Sequence, residues 1–101
     1  MNKRIKNYQE KLIFDLQDPD EAQAYLNAAL SDEDPCIFLL ALKNVLKAQD
    51  KSMSKLAKKA KLNRENLYRM LSQKGNPKLT SIISVLNALG LQLTVQTFKH
   101  K

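Results

Sequence analysis

One stretch, residues 52–73, constrains the fold of this chain more than any other. It reads SMSKLAKKAKLNRENLYRMLSQ. Its spacing fits two short helices, with small and apolar residues on one side and basic residues on the other. Ala57 and Ala60 are small enough to let a second helix cross the first closely, and Asn63 can cap that second helix. The stretch therefore predicts a helix-turn-helix unit, which needs further helices to cover its apolar side.

The phase of the second helix determines which of its residues face outward. With Leu67, Met70 and Leu71 as the inward stripe, a rotation of about 100° per residue places Glu65 and Arg69 on the opposite side. A recognition helix reads base edges in the major groove, while polar side chains around it contact phosphates. The residues that we predict to contact DNA are Ser54, Lys55, Asn63, Arg64, Glu65, Asn66, Tyr68, Arg69, Lys74 and Asn76.

The charge of the chain is unevenly distributed along its length. Residues 1–50 contain six Lys/Arg and nine Asp/Glu, a balance of −3, whereas residues 51–101 contain eleven Lys/Arg and one acid, a balance of +10. The basic half suits a polyanion such as nucleic acid, and the acidic half suits a basic partner.

Two aspartate–proline pairs predict helix starts. Asp18 and Asp34 can each accept a hydrogen bond from a free backbone amide, and the proline after each suits the first helical position. The first of these helices is expected to run to about Leu30 and the second to near Gln49. Because the second helix is the most apolar of the chain, we expect it at the centre of the core.

Apolar residues at helical spacing predict which side of each helix is buried. A further amphipathic helix follows the turn at 74–78 and should stop at Gly90. The residues expected to face the core are Ala22, Tyr25, Leu26, Ala29 and Leu30 in the first helix, Ile37, Phe38, Leu39, Ala41, Leu42, Val45 and Leu46 in the second, and Leu79, Ile82, Ile83, Val85, Leu86 and Leu89 in the last.

The final part of the chain changes from helical to alternating periodicity. Leu91, Leu93 and Val95 share one side of an extended chain, which predicts a short β-strand over 91–98. A lone strand cannot satisfy its own backbone, so it should pair with the same strand of a second subunit or with a partner's sheet. The chain thus divides into three parts: an N-terminal arm or short helix (1–17), a helical DNA-binding domain (18–90), and a strand with a tail (91–101).

Several classes of function find no support in the sequence. It contains no Cys/His cluster with metal-ligand spacing, no glycine-rich phosphate loop and no nucleophile–base pair, so we expect no catalysis, metal or cofactor. The single cysteine, Cys36, excludes an internal disulfide, fits a reducing cytoplasm and is expected in the core. No run approaches the roughly 18 apolar residues that span a bilayer, and no signal peptide is visible. These observations favour a cytoplasmic binding protein.

The segment SKLAKKAKLNRENLYRMLSQKGNPKLTSIISVLNALGL resembles the λ repressor/Cro (XRE) helix-turn-helix class. It resembles more closely the addiction-module antidote proteins, the HigA-like antitoxins of toxin–antitoxin pairs, over roughly residues 12–95. Lys61 departs from that pattern, because glycine is usual at this position of the turn. The resemblance implies an all-α fold of the five-helix λ repressor type, to which the alternating pattern of 91–98 adds a short C-terminal β-strand. It also implies a bacterial autorepressor that neutralises a small toxin of the RelE/ParE type.

The resemblance and the charge pattern together suggest where a toxin binds. Residues 10–34 contain eight acids and one base, Lys11, and toxins of this type are usually basic. The residues predicted to bind the toxin are Tyr8, Leu12, Phe14, Asp15, Asp20 and Glu21, with the further acids Asp18, Asp32, Glu33 and Asp34 on the same side. The alternative is that these acids cap helices and keep the protein soluble.

The number of DNA contacts available to one helix argues for a dimer. A single recognition helix reads only a few base pairs, so we expect a homodimer on an inverted-repeat operator, with the 91–98 strand as a candidate dimer contact. Two other functions stay open: a stand-alone phage-type or metabolic repressor without a toxin, and a non-specific nucleic-acid binder. A neighbouring short gene for a small basic protein would separate the antitoxin from the stand-alone repressor.

Overall fold

The computed structural model describes residues 3–49, 67, 69–72 and 76–97, with side chains from residue 7 onward. These residues form four helices in an all-helical arrangement: α1 (Lys3–Asp15), α2 (Pro19–Leu30), α3 (Pro35–Ala48) and α4 (Leu79–Ala88). The first 17 residues, for which an arm or a short helix was expected, thus contain a helix. None of the helices in the described ranges is long and apolar enough to cross a membrane.

The two predicted helix starts are confirmed. The Asp18 carboxylate accepts a hydrogen bond from the backbone N–H of Asp20 at 2.9 Å, and the Asp34 carboxylate accepts one from the N–H of Cys36 at the same distance. Both aspartates have extended backbone angles, and a proline begins each helix. Each cap therefore satisfies an amide that the helix itself leaves without a partner.

Helix α3 lies at the centre of the core, as its apolar breadth predicted. It packs against both α1 and α2, and the side chains of Leu42 and Leu46 are completely buried. A hydrogen bond of 2.9 Å from the Asn44 side-chain amide to the Tyr25 hydroxyl links α3 to α2. The buried apolar residues are Leu16, Ala22, Leu26, Ala29, Phe38, Leu39, Ala41, Leu42, Val45, Leu46, Ala48, Leu67, Leu71, Val85 and Leu86.

Four residues that were predicted to face the core are exposed instead: Leu30, Ile37, Leu79 and Ile83. Leu30 is the last residue of α2, Leu79 is the first of α4, and Ile37 lies in the first turn of α3. These three positions lie at helix ends, which are less covered than the middle turns, whereas the exposure of Ile83 in the middle of α4 has no such explanation. Periodicity identifies the side of a helix but not how far along that side the covering neighbour reaches, which is why the prediction was wrong at the helix ends.

Helix α4 ends at the predicted glycine. Gly90 has a φ of 81°, a left-handed conformation that a side chain would disfavour. Its N–H donates to the carbonyl of Asn87 at 3.0 Å, and the N–H of Leu91 donates to the carbonyl of Leu86 at 2.8 Å. This pair of hydrogen bonds is the Schellman motif, which satisfies carbonyls at the helix end.

The predicted C-terminal β-strand is not seen in residues 91–97, the part of it that the structure describes. Residues 91–97 have no regular secondary structure, and no other described segment is a strand that could pair with them. Leu91 packs against the core, but Val95 is fully exposed. An alternating sequence supplies only one side of a β-ladder, and the hydrogen-bonding neighbour must come from elsewhere.

Candidate nucleic-acid interface and partner-binding surfaces

The described part of the predicted recognition helix has the expected phase. Leu67 and Leu71 are buried, with exposed fractions of 1% and 2%, and Met70 packs partly against the core. Arg69 is exposed. The N–H of Leu71 donates to the carbonyl of Leu67 at 3.3 Å, which is a helical hydrogen bond. The core therefore anchors one side of this turn and leaves the Arg69 guanidinium free to contact a ligand.

Most of the predicted DNA contacts cannot be placed, because they lie outside the described residues. Of the ten, only Arg69 and Asn76 are described, and both are exposed. The other eight predicted DNA contacts lie outside the described residues: Ser54, Lys55, Asn63, Arg64, Glu65, Asn66, Tyr68 and Lys74. The helix crossing at Ala57 and Ala60 also lies outside, so the predicted geometry of the turn stays a prediction.

Three of the predicted toxin-binding residues line one cavity between the end of α1 and the start of α2. This cavity has a volume of about 570 Å³, and we call it the α1–α2 notch. Phe14, Asp15 and Glu21 line it together with Lys11, Gln17 and Asp18. The Phe14 side chain is 71% exposed, although it is a large apolar group. The notch thus combines an open aromatic ring with three carboxylates and one amine.

The other three predicted toxin-binding residues are not among those that line the notch. Tyr8 is 71% exposed on α1, and Asp20 is exposed at the start of α2. Leu12 is partly buried against the core, because it shares the inner side of α1 with Ile13. Tyr8 and Asp20 can contact a partner, whereas Leu12 mainly holds α1 in place.

A second cavity, missed by the sequence reasoning, lies where α2 ends and where α3 and α4 begin. Its volume is about 460 Å³, and we call it the α2–α4 groove. Polar groups come from Asp32, Cys36 and Asn76. Its apolar lining comes mostly from Leu30, Pro35, Phe38, Leu39, Pro77 and Ile82. The sequence analysis had assigned Leu30 to the core, and it had placed the neighbouring acids Asp32, Glu33 and Asp34 on the toxin-binding side without identifying a groove there.

The single cysteine lines the α2–α4 groove and is half-buried rather than part of the core. The negative charge of Asp34 raises the pKa of the Cys36 thiol above its ordinary value, and burial and a hydrogen bond to Asp34 act in the same direction. A raised pKa keeps the sulfur protonated at neutral pH. We therefore expect the Cys36 thiol to be weakly reactive.

A third cavity, of about 430 Å³, lies beside the C-terminal segment. Its lining includes four side-chain amides and a hydroxyl, from Gln23, Asn27, Asn87, Gln92 and Thr94. Side-chain amides donate and accept hydrogen bonds, as a peptide backbone does. Elsewhere in the described ranges, no group of three or more His, Cys, Asp or Glu residues could hold a metal ion.

Comparison with known proteins gives one family and one relative. A family described as "Probable addiction module antidote protein" matches residues 7–97. A protein of Haemophilus influenzae that is called only "Uncharacterized protein" is 38% identical over 81 residues, which is 80% of this chain and 81% of the relative. No solved structure matches the chain significantly. The family match includes the notch, the groove and the whole predicted helix-turn-helix.

Proposed function

Because the chain belongs to the family of probable addiction module antidote proteins, we propose that it is the antitoxin of a type II toxin–antitoxin module. In this proposal it binds its own operator as a λ repressor/Cro-type helix-turn-helix protein of the XRE class, represses its operon, and neutralises a RelE/ParE-like toxin in the bacterial cytoplasm. It acts by binding and not by catalysis. The observation that carries the proposal is the family match over 7–97, and an antidote family implies a toxin partner.

The proposed DNA interface uses the side of the recognition helix opposite Leu67 and Leu71. The burial of these leucines and the exposure of Arg69 support that orientation. Arg69 or Arg64 would bind guanine through two hydrogen bonds, and Glu65 would accept one from cytosine. Ser54, Lys55, Asn63, Asn66, Tyr68, Lys74 and Asn76 would contact phosphates or further bases.

The proposed repressor is a homodimer on an inverted repeat with half-sites about one helical turn apart. The segment 91–98 would pair with the same segment of the second subunit, so that the strand forms only in the dimer. The exposed Val95 side chain and the amide-lined cavity beside Gln92 and Thr94 support this route. A paired strand would satisfy backbone N–H and C=O groups of 91–97, which belong to no helix or sheet in the described part of the chain.

The proposed toxin contact centres on the α1–α2 notch. Phe14 offers an aromatic ring to a cation, and Asp15 and Glu21 offer carboxylates beside it. Tyr8 and Asp20 extend this surface, and Leu12 supports α1 beneath it. An acidic surface with an open aromatic group suits a basic toxin.

Co-expression with the neighbouring open reading frame tests the proposal. We expect that gene's product to arrest growth alone, to co-purify with this chain, and to lose its toxicity when the chain is present. Footprinting on the operon's own promoter should show protection of an inverted repeat. Protection without any toxic partner would favour a stand-alone repressor, and equal affinity for all sequences would favour a non-specific nucleic-acid binder.

A further inference from the structure

Some large apolar side chains of this chain lie at helix ends, outside the region that its own core buries. Leu30 is 50% exposed and Leu79 is 63% exposed, yet both belong to stripes that are buried farther along their helices. Leu30 lines the α2–α4 groove, and Leu79 begins the helix whose Ile82 lines it. Apolar surface that continues from a core into an open groove marks a place where another molecule is buried.

The edge of the groove is acidic. Asp32 lines it, and Glu33 and Asp34 follow directly on the exposed 31–34 loop. The Asp32 carboxylate accepts a hydrogen bond from the N–H of Asp34 at 2.9 Å, which holds its position, and a carboxylate has capacity for further donors. Lys78 is the nearby base along the chain, next to Pro77 of the lining. Among the described residues of this region, the three carboxylates of the 31–34 loop face one amine, that of Lys78, and this balance favours a basic partner.

We propose that the α2–α4 groove binds the toxin through an apolar side chain that has Lys or Arg residues beside it. The apolar side chain enters between Leu30 and Ile82, and the bases pair with the carboxylates of the 31–34 loop. This inference rests on the proposed function, because it takes the basic toxin as the partner. It adds a second contact, at the opposite end of α2 from the notch.

Two other occupants fit the charges less well. DNA is repelled by the three carboxylates of the 31–34 loop. A second copy of this chain has most of its net positive charge over 51–101, which the proposed function assigns to DNA, and a smaller basic run at Lys3, Arg4 and Lys6. A basic toxin fits the acidic edge of the groove better, and the dimer measurement below distinguishes it from a second copy.

The test compares two leucines of equal exposure. Leu30 and Leu40 are 50% and 49% exposed, and Leu40 is not among the residues that line the groove. The probe is the purified product of the neighbouring open reading frame, titrated against Leu30→Ser, Leu40→Ser and the unmodified chain by calorimetry. Leu30→Ser should weaken binding by about tenfold, as expected when a leucine side chain loses its apolar contacts. Leu40→Ser should stay within about twofold of the unmodified chain, because it lies outside the contact.

A second variant tests the charge. Asp32→Asn keeps an acceptor for the N–H of Asp34 and removes the negative charge. Its binding should be weaker than that of the unmodified chain at low salt, and the difference should shrink as salt is raised. Circular dichroism and melting curves check that each variant is folded.

The outcomes separate the groove from the proposed function. Absence of binding by the unmodified chain defeats the antitoxin proposal itself. Tight binding that Leu30→Ser and Asp32→Asn leave unchanged refutes only the groove. Dissociation of a homodimer by Leu30→Ser, with toxin binding unchanged, would assign the groove to a second copy and also overturn the inference.

Discussion

At the scale of single residues, the surroundings of a side chain decide its role. Asp18 and Asp34 are both helix caps, but Asp34 also acts on the thiol that follows it two residues later. Leu67 and Arg69 are two positions apart in one helical turn, and one is buried while the other is exposed. Each of these contrasts leads to a measurable difference.

The reactivity of Cys36 should reflect the negative charge of Asp34. Since the carboxylate raises the thiol pKa, the thiolate fraction at pH 7.5 is small, and alkylation by iodoacetamide should be slow and accelerate with rising pH. Asp34→Asn keeps the helix cap and removes the charge, so the thiol pKa should fall and the rate at pH 7.5 should rise. An unchanged rate would mean that the charge does not govern the thiol. Alkylation is followed by mass spectrometry, with Asp20→Asn as the control.

Arg69→Ala tests the proposed base contact. The change should cost about 1–3 kcal/mol of operator binding and relax specificity at one base position. Binding to random DNA should change little, since a base contact contributes mainly to the specific complex. Electrophoretic mobility shifts with operator and scrambled duplexes measure both. Equal losses on the two duplexes would assign Arg69 to phosphate contacts instead.

At the scale of helices, stability depends on ends as well as on apolar sides. Helix α2 begins with a side-chain cap, whereas α4 begins at Lys78 with no side-chain hydrogen bond. The N-terminal end of α4 also carries the exposed Leu79, and its buried residues, Val85 and Leu86, lie in its second half. We infer that the start of α4 is the less stable end, since it lacks both a cap and deep burial.

Asp18→Ala should destabilise the chain through the start of α2. The loss of its hydrogen bond to the N–H of Asp20 should cost about 0.5–2 kcal/mol of unfolding free energy. Asp18→Asn keeps an acceptor and should recover most of this loss. Urea denaturation followed by circular dichroism gives both values. Equal destabilisation by Asn and Ala would show that the charge, and not the cap, is what matters.

At the scale of the whole molecule, its open surfaces suit several partners. The notch and the groove lie at opposite ends of α2, both with carboxylates, while the exposed Arg69 belongs to the basic half. The proposed dimer uses a further surface, the C-terminal segment. The notch and the C-terminal segment are separate from the predicted DNA contacts, whereas Asn76, one of those contacts, also lines the α2–α4 groove. A toxin in the groove would therefore meet DNA at this residue.

Val95→Pro tests whether the 91–97 segment pairs between subunits. Val95 is fully exposed in the single chain, so proline there removes a backbone donor without removing core packing. In sedimentation experiments the variant dimer should dissociate at a higher protein concentration than the unmodified dimer does. Its affinity for the operator should fall as well. Val95→Thr, which retains the donor and β-branching, should behave like the unmodified chain. A proline variant that stays fully dimeric would place the dimer contact elsewhere.

The sequence by itself determined those features that depend on near neighbours. The caps at Asp18 and Asp34, the stop at Gly90 and the inward phase of Leu67 and Leu71 arise within a few residues of chain, and the structure confirms them. The uneven charge is likewise a property of the sequence alone, and the resemblance to addiction-module antidote proteins agrees with the family match.

Only the tertiary structure decided which separate segments meet. It gathered Phe14, Asp15 and Glu21 around one notch, and it left Leu30 in an open groove instead of the core. It also left 91–97 without a strand, because a strand exists only with a neighbour. The physical reason is common to all three: local periodicity sets the direction of a side chain, whereas burial and pairing depend on what another segment, or another molecule, brings to it.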